Sequence, residues 1–461
     1  MNKNHVVIVG GGLSGLSAAF FLSRRASQEH PSLKITVLEA SDRFGGVLRT
    51  LTHEHLRMEA GADAFYAGQK DAADLCFELG LESDLIEAAP CFRHFFGLKN
   101  KTPFPVPGLP GSLGDILRFF NSSKLSFPAK VRMLGEPFIP RRKEKGDESF
   151  AGFIRRRLGQ GFYEEIVKPL VQGVYMMDPE RLSLRALFPK FESAEKVYGS
   201  HAGSFLEQLL RGKEKRPPEF LTLKQGLEGL TRALVRELRE CEMRTSAPVR
   251  RCTYHEGAGW KISMEDGEVL SADSVILAMN ACDASKLLSA ATLELSKALL
   301  EIRYDSIAVV DLIYRSEDVP MRDLAPGFLM AMKGESYPFS SLKWIGRSAD
   351  GKSLSMRAFF SETMFPRRFS KSDEELKQKT LDFLNDFLAI KAPPLFSEVK
   401  RYPSALPQYE TGHLERVAHI EWMARRYPGL YLTGNGFRGF GITDCIRQAR
   451  ATVFGLQLPV S

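Results

Sequence analysis

No stretch of this 461-residue chain runs for about 20 apolar residues without interruption, so no segment reads as a membrane-spanning helix. Cysteine is scarce. Its six residues (Cys76, Cys91, Cys241, Cys252, Cys282 and Cys445) form no C-x-x-C pair, which argues against a zinc ribbon or a dithiol centre and leaves reduced thiols as the expectation. The nine histidines include no H-E-x-x-H spacing; His53 and His55 read as one face of a strand, and no metal site is expected. A strong charge excess is missing as well. The formal charge of +7 suits contact with anions but is too weak to mark a nucleic-acid binder, and no nucleic-acid motif is present. With 44% hydrophobic and 26% charged residues the composition is globular, enough for two to three domains of ~150 residues. The first apolar run is too short for a secretory leader, so a cytoplasmic location is expected, with peripheral contact to the inner face of the membrane left open.

What is present is glycine, in two places far apart. Val6–Val9 is a short apolar run that reads as a buried parallel strand. Gly10, Gly12 and Gly15 then fill a G-x-G-x-x-G frame: Gly10 for the tight turn, Gly12 for close approach of a pyrophosphate, Gly15 for packing of the following helix. That helix, from Leu13 and Ser14 to about Gln28, points free N–H groups and a positive dipole end at the phosphates. A second strand, Lys34–Leu38, ends at Glu39, whose carboxylate can accept from ribose hydroxyls and disfavours a 2′-phosphate. Arg43 and Arg49 offer guanidiniums for a second phosphate, and Gly45-Gly46 lets the chain run close to a ligand.

Near the other end, Leu430–Thr433 is a short strand followed by Gly434-Asn435-Gly436, Gly439-Phe440-Gly441 and an amphipathic helix from Thr443 to about Phe454. Such a loop can present backbone N–H groups to another polar part of the same ligand; a plain surface turn is the alternative.

Between these ends the pattern changes. Pro103, Pro105, Pro107 and Pro110 mark an extended stretch. Amphipathic helical segments dominate from about Gly111 to Val197. Arg141, Arg142, Lys143 and Lys145, with Arg155, Arg156 and Arg157, are either a solvated loop and helix face or a surface that rests on an anionic membrane. The strand-like runs at 248–254, 260–264 and 273–278 can share a sheet with the first βαβ unit, whereas 287–422 mixes strands and helices in α+β fashion. The expected organisation is a discontinuous dinucleotide domain (1–90, 218–285 and 428–461), a largely helical, membrane-facing domain (91–204), a linker (205–217) and a substrate domain (286–427).

The R-x-G-G continuation at Arg43–Gly46 and the E-x-G-x-D segment Glu59–Asp63 resemble the flavoprotein superfamily of amine oxidases, carotene desaturases and protoporphyrinogen oxidases. Lys168–Phe191 (with G-V-Y-x-x-D-P), Ala405–Val417 (with P-Q-Y-x-x-G-H) and Leu432–Ala449 (with G-x-G-I-x-D-C-I) look like the flavin-dependent protoporphyrinogen/coproporphyrinogen oxidases. The resemblance runs over essentially the whole chain. It implies a Rossmann-like α/β FAD domain of the p-hydroxybenzoate-hydroxylase type, a mixed-sheet α+β substrate domain and an inserted helical domain.

It also implies non-covalent FAD held by Gly10, Gly12, Leu13, Ser14, Gly15, Glu39, Arg43, Gly45, Gly46, Arg49, Gly61, Ala62, Asp63, Val249, Gly434, Gly441 and Ile442, with Val249 beside the adenine and Gly441 and Ile442 beside the flavin. The implied substrate contacts are Phe104, Gly173, Val174 and Tyr175. The implied reaction removes six electrons from a porphyrinogen in three steps, with O2 as acceptor. Protoporphyrinogen IX is the first choice of substrate and coproporphyrinogen III the second; an amine-oxidase-like enzyme and a non-catalytic flavin-binding protein are the other classes. Aromatisation drives the chemistry, so no catalytic acid or base is assigned. A homodimer is left open.

Two departures from the family pattern stand out. Relatives often carry an arginine in the Pro-rich segment where this chain has Phe104, so propionates would need Arg93, Lys99 or Lys101. Met176 and Met177 follow G-V-Y where small residues are usual, and they either reshape the pocket or simply pack.

Overall fold

The structure is a computed structural model and describes residues 4–53, 56–88, 94–96, 103–105, 125–199, 220–320, 329–331, 338–347 and 351–457. The strands that position the site are, in chain order, β1 (His5–Val9), β2 (Lys34–Leu38), β3 (Glu242–Arg244), β4 (Ser274–Ala278), β5 (Tyr304–Arg315), β6 (Ser341–Arg347), β7 (Ser353–Ser361), β8 (Phe396–Pro407) and β9 (Leu430–Thr433). The helices are α1 (Leu13–Glu29), α2 (Phe127–Leu134), α3 (Phe150–Leu158), α4 (Lys168–Tyr175), α5 (Pro189–Tyr198), α6 (Asp373–Leu388), α7 (His413–Ala424) and α8 (Ile442–Phe454).

One sheet is wholly parallel, in the order β3-β2-β1-β4-β9. Its strands come from both ends and the middle of the chain. The central strands are covered on both faces, which is why their sequences are continuous apolar runs rather than alternating ones. Val6, Ile8, Val37 and Ile276 pack with α1 and α8; Val7, Val9, Val275 and Leu277 pack on the opposite side. Small residues in the first turns of α1 (Ser14, Gly15, Ser17, Ala18, Ala19), all buried, let it lie close to the sheet. The opposite side is covered by a three-stranded antiparallel sheet (Val249–His255, Gly259–Met264, Val269–Ala272), where buried Trp260 donates its indole N–H to Pro428 O at 2.9 Å.

The second large sheet runs β8-β5-β7-β6 and continues through Leu329–Ala331, His94–Phe96 and Pro103–Pro105. The domain expected at 91–204 is largely helical, and its strand-like and extended start supplies 94–96 and 103–105 to this sheet. Pro103–Pro105 lies at its edge, where missing N–H donors are tolerated. Alternation in β5 divides the faces. Ala308, Val310, Leu312 and Tyr314 pack in one core with Leu376, Leu384 and Leu388 of α6, which begins with a Ser372–Glu375 capping box. Ile307 and Val309 point the other way, and Met176, just past α4, packs on them.

The helical region has its own core, with Phe150, Phe153, Ile154, Tyr163, Ile166 and Val171 buried together. Its three consecutive arginines do not present a basic face. Arg155 pairs with Glu180, and Arg156 donates to Glu195 and Glu148 at 2.7 and 2.9 Å. Fully buried Arg157 pairs with buried Glu136 and donates to Ile139 O and Gly199 O, each at 2.9 Å. The segment 113–121, the linker 205–217, Cys91, His55 and the candidate cations Arg93, Lys99 and Lys101 lie outside the described residues.

Candidate functional site

β1, β4 and β9 are adjacent and parallel, so the turns that leave their carboxyl ends open on the same edge of the sheet. α1 follows β1 and α8 follows β9. Gly12 and Gly441 stand at the two N-caps and offer no capping side chain; in α8 the first-turn Asp444 carboxylate accepts from Gly441 N–H. Their first-turn N–H groups are therefore available to a polar ligand, and both dipoles favour negative charge there.

The first turn is shaped by close backbone approach. Gly10 has φ +106°, and a Cβ on it would lie 2.4 Å from Ala278 O. A Cβ on Gly15 would lie 1.8 Å from Gly10 O. At Gly12 the situation is reversed. A Cβ there would meet only the Gly46 Cα, at 3.9 Å, so the space before the turn is open. Gly45 N–H donates to Gly11 O at 2.8 Å, which lays the Gly45-Gly46 pair alongside Gly12. Leu13 and Ser14 start α1 and are buried.

Glu39 sits at the carboxyl end of β2. It accepts from Gly11 N–H at 2.7 Å and from the Ser41 N–H and hydroxyl at 2.9 and 2.7 Å. Glu39 O also accepts from Ala247 N–H at 2.8 Å, which brings the start of the Val249 strand to the same place. Arg43 is used differently from the sequence expectation. Its guanidinium donates to Phe44 O and Gly46 O, at 2.9 and 2.6 Å, and so braces the glycine pair. Arg49 is exposed, and its carbonyl accepts from Ala60 N–H at 2.7 Å.

The second turn, Gly434–Gly441, is held by side chains. Tyr409 OH donates to Asn435 O at 2.7 Å and accepts from Gly439 N–H at 2.8 Å. Buried His413, stacked on Tyr409 at 3.8 Å, holds Phe437 O at 2.8 Å. Burial pushes the His413 ring down to about 4, so it is neutral and donates through Nε2–H. Gln448 accepts from Arg438 N–H at 2.9 Å and donates to Gly439 O at 2.8 Å. The P-Q-Y-x-x-G-H motif is thus a clamp on this loop. Ile442, in the first turn of α8, is buried.

A third segment, Glu59–Asp63, runs between the two sheets. Glu59 accepts from Leu227 N–H at 2.8 Å and from the Thr50 hydroxyl, and burial pushes its carboxyl up to about 7. Tyr402 OH donates to Ala60 O at 2.6 Å, and Arg357 donates to Gly61 O at 2.8 Å. Lys343 pairs with Asp63. Burial pushes the Asp63 carboxyl up, but Lys343 and Arg357 outweigh it and hold it below its ordinary value. Ala62 is exposed, and a Cβ on Gly61 would lie 2.1 Å from Val47 O.

Of the residues expected at a substrate, Gly173, Val174 and Tyr175 close α4, with Gly173 buried and the Tyr175 ring edge-on to Phe188 at 5.3 Å. Phe104 lies on the Pro103–Pro105 strand with its backbone paired to Phe95; its side chain lies outside the described residues. Reading by motif missed Lys343, Arg357, Asp311 and Tyr402. The available signal was a single charge inside otherwise apolar strands (VVDLIY, SLKWIG, SMRAFF). Among the described residues no cluster suits a metal ion.

The arrangement fits a dinucleotide: an open phosphate position before Gly12, an acid at the end of β2, and a second uncapped helix start on the same sheet edge. The family description of flavin-containing amine oxidoreductases matches residues 13–453. The coproporphyrinogen III oxidase of Bacillus subtilis (strain 168) is 30% identical, covering 98% of this chain and 97% of that protein. The protoporphyrinogen oxidase of Bos taurus is 29% identical, covering 98% of each. A solved structure from Exiguobacterium sp. 255-15, provisionally assigned as a protoporphyrinogen oxidase, superposes with a TM-score of 0.86 at 26% identity over 99% of both chains. Cyclohexylamine oxidase from Brevibacterium oxydans IH-35A, at 15% identity and a TM-score of 0.68, shares the fold. The chain belongs to the flavin-containing amine oxidoreductases, as an FAD-dependent member of the protoporphyrinogen/coproporphyrinogen oxidase family.

Proposed function

We propose that this chain oxidises protoporphyrinogen IX to protoporphyrin IX in haem biosynthesis, with O2 as the final acceptor. The carrying observation is the full-length similarity to oxidases named for the two porphyrinogens, on a fold whose two uncapped helix starts share one sheet edge. Bound FAD would supply a two-electron acceptor, used three times per porphyrinogen. The Gly10–Gly15 turn, Glu39 and the Gly45-Gly46 pair would hold the nucleotide, Val249 would border the adenine, and Gly61–Asp63, Gly434, Gly441 and Ile442 would border the ring system. In this reading 1–90, 218–285 and 428–461 make the FAD unit and 286–427 the substrate unit, joined by the strands at 94–96 and 103–105.

The protein's part in the chemistry is orientation and exclusion of water. The face of the second sheet that carries Ile307 and Val309, with Met176 on them, offers an apolar wall for a tetrapyrrole near the end of α4. Pyrrole protons leave as the macrocycle aromatises, so the site needs no strong base. Coproporphyrinogen III is the second reading, favoured by the name of the Bacillus subtilis relative. Anaerobic addition of each porphyrinogen to the yellow protein tests both. Flavin bleaching with growth of porphyrin fluorescence, faster for protoporphyrinogen IX, is the expected result; an unchanged flavin spectrum would exclude the oxidase.

Membrane contact belongs to the same proposal. No helix among the described residues is long and apolar enough to cross a bilayer. α2 and the turn after it expose Phe127, Val131, Leu134 and Phe138 at 78%, 51%, 65% and 89%, a spacing that puts the helical members on one face. Exposed Arg141, Lys143 and Lys145 follow directly. Apolar insertion flanked by cations suits an anionic lipid surface. Sedimentation with anionic vesicles should carry the protein down, and Phe127→Ser with Phe138→Ser should leave it in solution. Equal recovery with and without vesicles would remove this contact.

A further inference from the structure

Four neighbouring strands of the second sheet place polar side chains on one face: Lys343, Arg357 and Asp311 in one row across three strands, and Glu398, Lys400 and Tyr402 along β8. Lys343 on β6 is registered with Arg357 on β7, and Arg357 with Asp311 on β5. Tyr402 on β8 is registered with Ile307, which shares the β5 face of Asp311. Arg357 donates Nε–H to Asp311 at 2.6 Å, and both residues are buried. Glu398, registered with Asp311, pairs with Lys400 at 3.2 Å. The row lies on the face that also carries Met176, opposite the apolar core of α6.

A buried ion pair of this kind is a poor stabilising device, because a well-packed apolar pair of similar volume is often as stable or more so. Its geometry points elsewhere. Three donors of this face reach one short segment: Tyr402 to Ala60 O, Arg357 to Gly61 O, and Lys343 to the Asp63 carboxylate. Asp311 orients the guanidinium that makes the middle contact.

We propose that Lys343, Arg357, Asp311 and Tyr402 are positioning residues for the flavin reaction: they fix Ala60–Asp63 against the cofactor and neutralise the Asp63 charge beside it. This rests on the reading that Gly61–Asp63 borders the flavin. Loss of the Lys343 charge leaves the Asp63 carboxylate only partly compensated, by Arg357, which disfavours the electron-rich reduced flavin. Loss of the Arg357–Asp311 pair together leaves the net charge of the row unchanged but releases the Gly61 carbonyl.

The test compares Lys343→Gln, whose side chain is at the rim of the buried row, with the double variant Arg357→Met/Asp311→Leu, which leaves no buried charge unpaired. Both are reconstituted with FAD. Lys343→Gln should lower the flavin midpoint potential, and Asp63→Asn added to it should restore the potential. The double variant should weaken FAD binding on the order of tenfold, as expected for about one lost charge-assisted hydrogen bond, and lower kcat more than KM. Wild-type potential in Lys343→Gln together with wild-type FAD affinity in the double variant would overturn the proposal. If the double variant does not fold, the potential of Lys343→Gln decides alone. Potential and affinity are read without porphyrinogen, so a wild-type protein that fails to oxidise porphyrinogens would sink the substrate reading while leaving this test intact.

Discussion

The two glycine turns on the sheet edge do similar work by different means. At Gly10–Gly15 the constraint is backbone against backbone: Gly10 and Gly15 are required because carbonyl oxygens of Ala278 and Gly10 occupy the space of a side chain. At Gly434–Gly441 much of it is side chain against backbone. A Cβ on Gly436 would lie 2.0 Å from Tyr304 OH and one on Gly439 would lie 2.4 Å from the Asp444 carboxyl carbon, while Tyr409, His413 and Gln448 hold the loop. The first turn is therefore set by β1, β2, β4 and α1. The second draws on Asp444 and Gln448 of its own helix α8 and also on Tyr304 of β5, Tyr409 just past β8 and His413 of α7, the part of the molecule that would carry the substrate.

Breaking the first turn should have the larger effect. Gly15→Val places a side chain where Gly10 O stands, and should cost more than about 4 kcal/mol with loss of bound flavin. Thermal unfolding and the flavin-to-protein absorbance ratio read both.

Two buried groups, one at the second turn and one in the Glu59–Asp63 segment, respond to pH with opposite sign. His413, beside the second turn, is held near 4 in the fold against an ordinary 6.5. Its contribution is fully present above pH 6.5 and is lost as pH falls toward 4, by at most about 3 kcal/mol. Glu59, at the start of the segment between the two sheets, is raised from 4.5 to about 7. Its contribution is present below pH 4.5 and is lost as pH rises through 7, by a similar amount. Between pH 4.5 and 6.5 the two oppose each other. Unfolding midpoints against pH should lose the acid-side fall in His413→Phe and the neutral-side fall in Glu59→Gln; identical profiles in all three proteins would remove the assignment.

Tyr409→Phe sharpens the comparison further. It deletes the hydroxyl that both donates and accepts across the second turn, at a cost of about 2 kcal/mol. FAD titration of the apoprotein should show weaker binding, with the first turn untouched. Ser372→Ala removes the capping box of α6, remote from both turns. It should cost about 1 kcal/mol in chemical denaturation and leave FAD affinity unchanged.

The contrast also explains what could be read from the sequence. The first turn, β2 with Glu39, and the strand–loop–helix at Leu430–Phe454 were legible because strand, glycines and helix are contiguous, and local sterics set them. The charged row was not. Asp311, Lys343 and Arg357 are each a single charge inside a short apolar run (VVDLIY, SLKWIG, SMRAFF), and only antiparallel register brings them together. The local contacts of Arg43 were hidden for a related reason. A guanidinium next to a glycine pair suggests a phosphate partner, yet the Phe44 and Gly46 carbonyls of the same turn take its N–H donors. The three arginines at 155–157 suggested a basic surface because their carboxylates, Glu136, Glu148, Glu180 and Glu195, lie 8 to 39 positions away in sequence and meet them only through packing.

FAD titration of Gly12→Val beside the wild type bears most directly on the central claim. A side chain at Gly12 meets open space and so spares the fold, but it fills the position before the α1 N-terminus. The account predicts saturable, stoichiometric FAD binding by the wild-type protein, and loss of that binding in Gly12→Val with an unchanged far-UV spectrum. Equal FAD binding by both proteins, or a folded wild-type protein that takes up none, would contradict it.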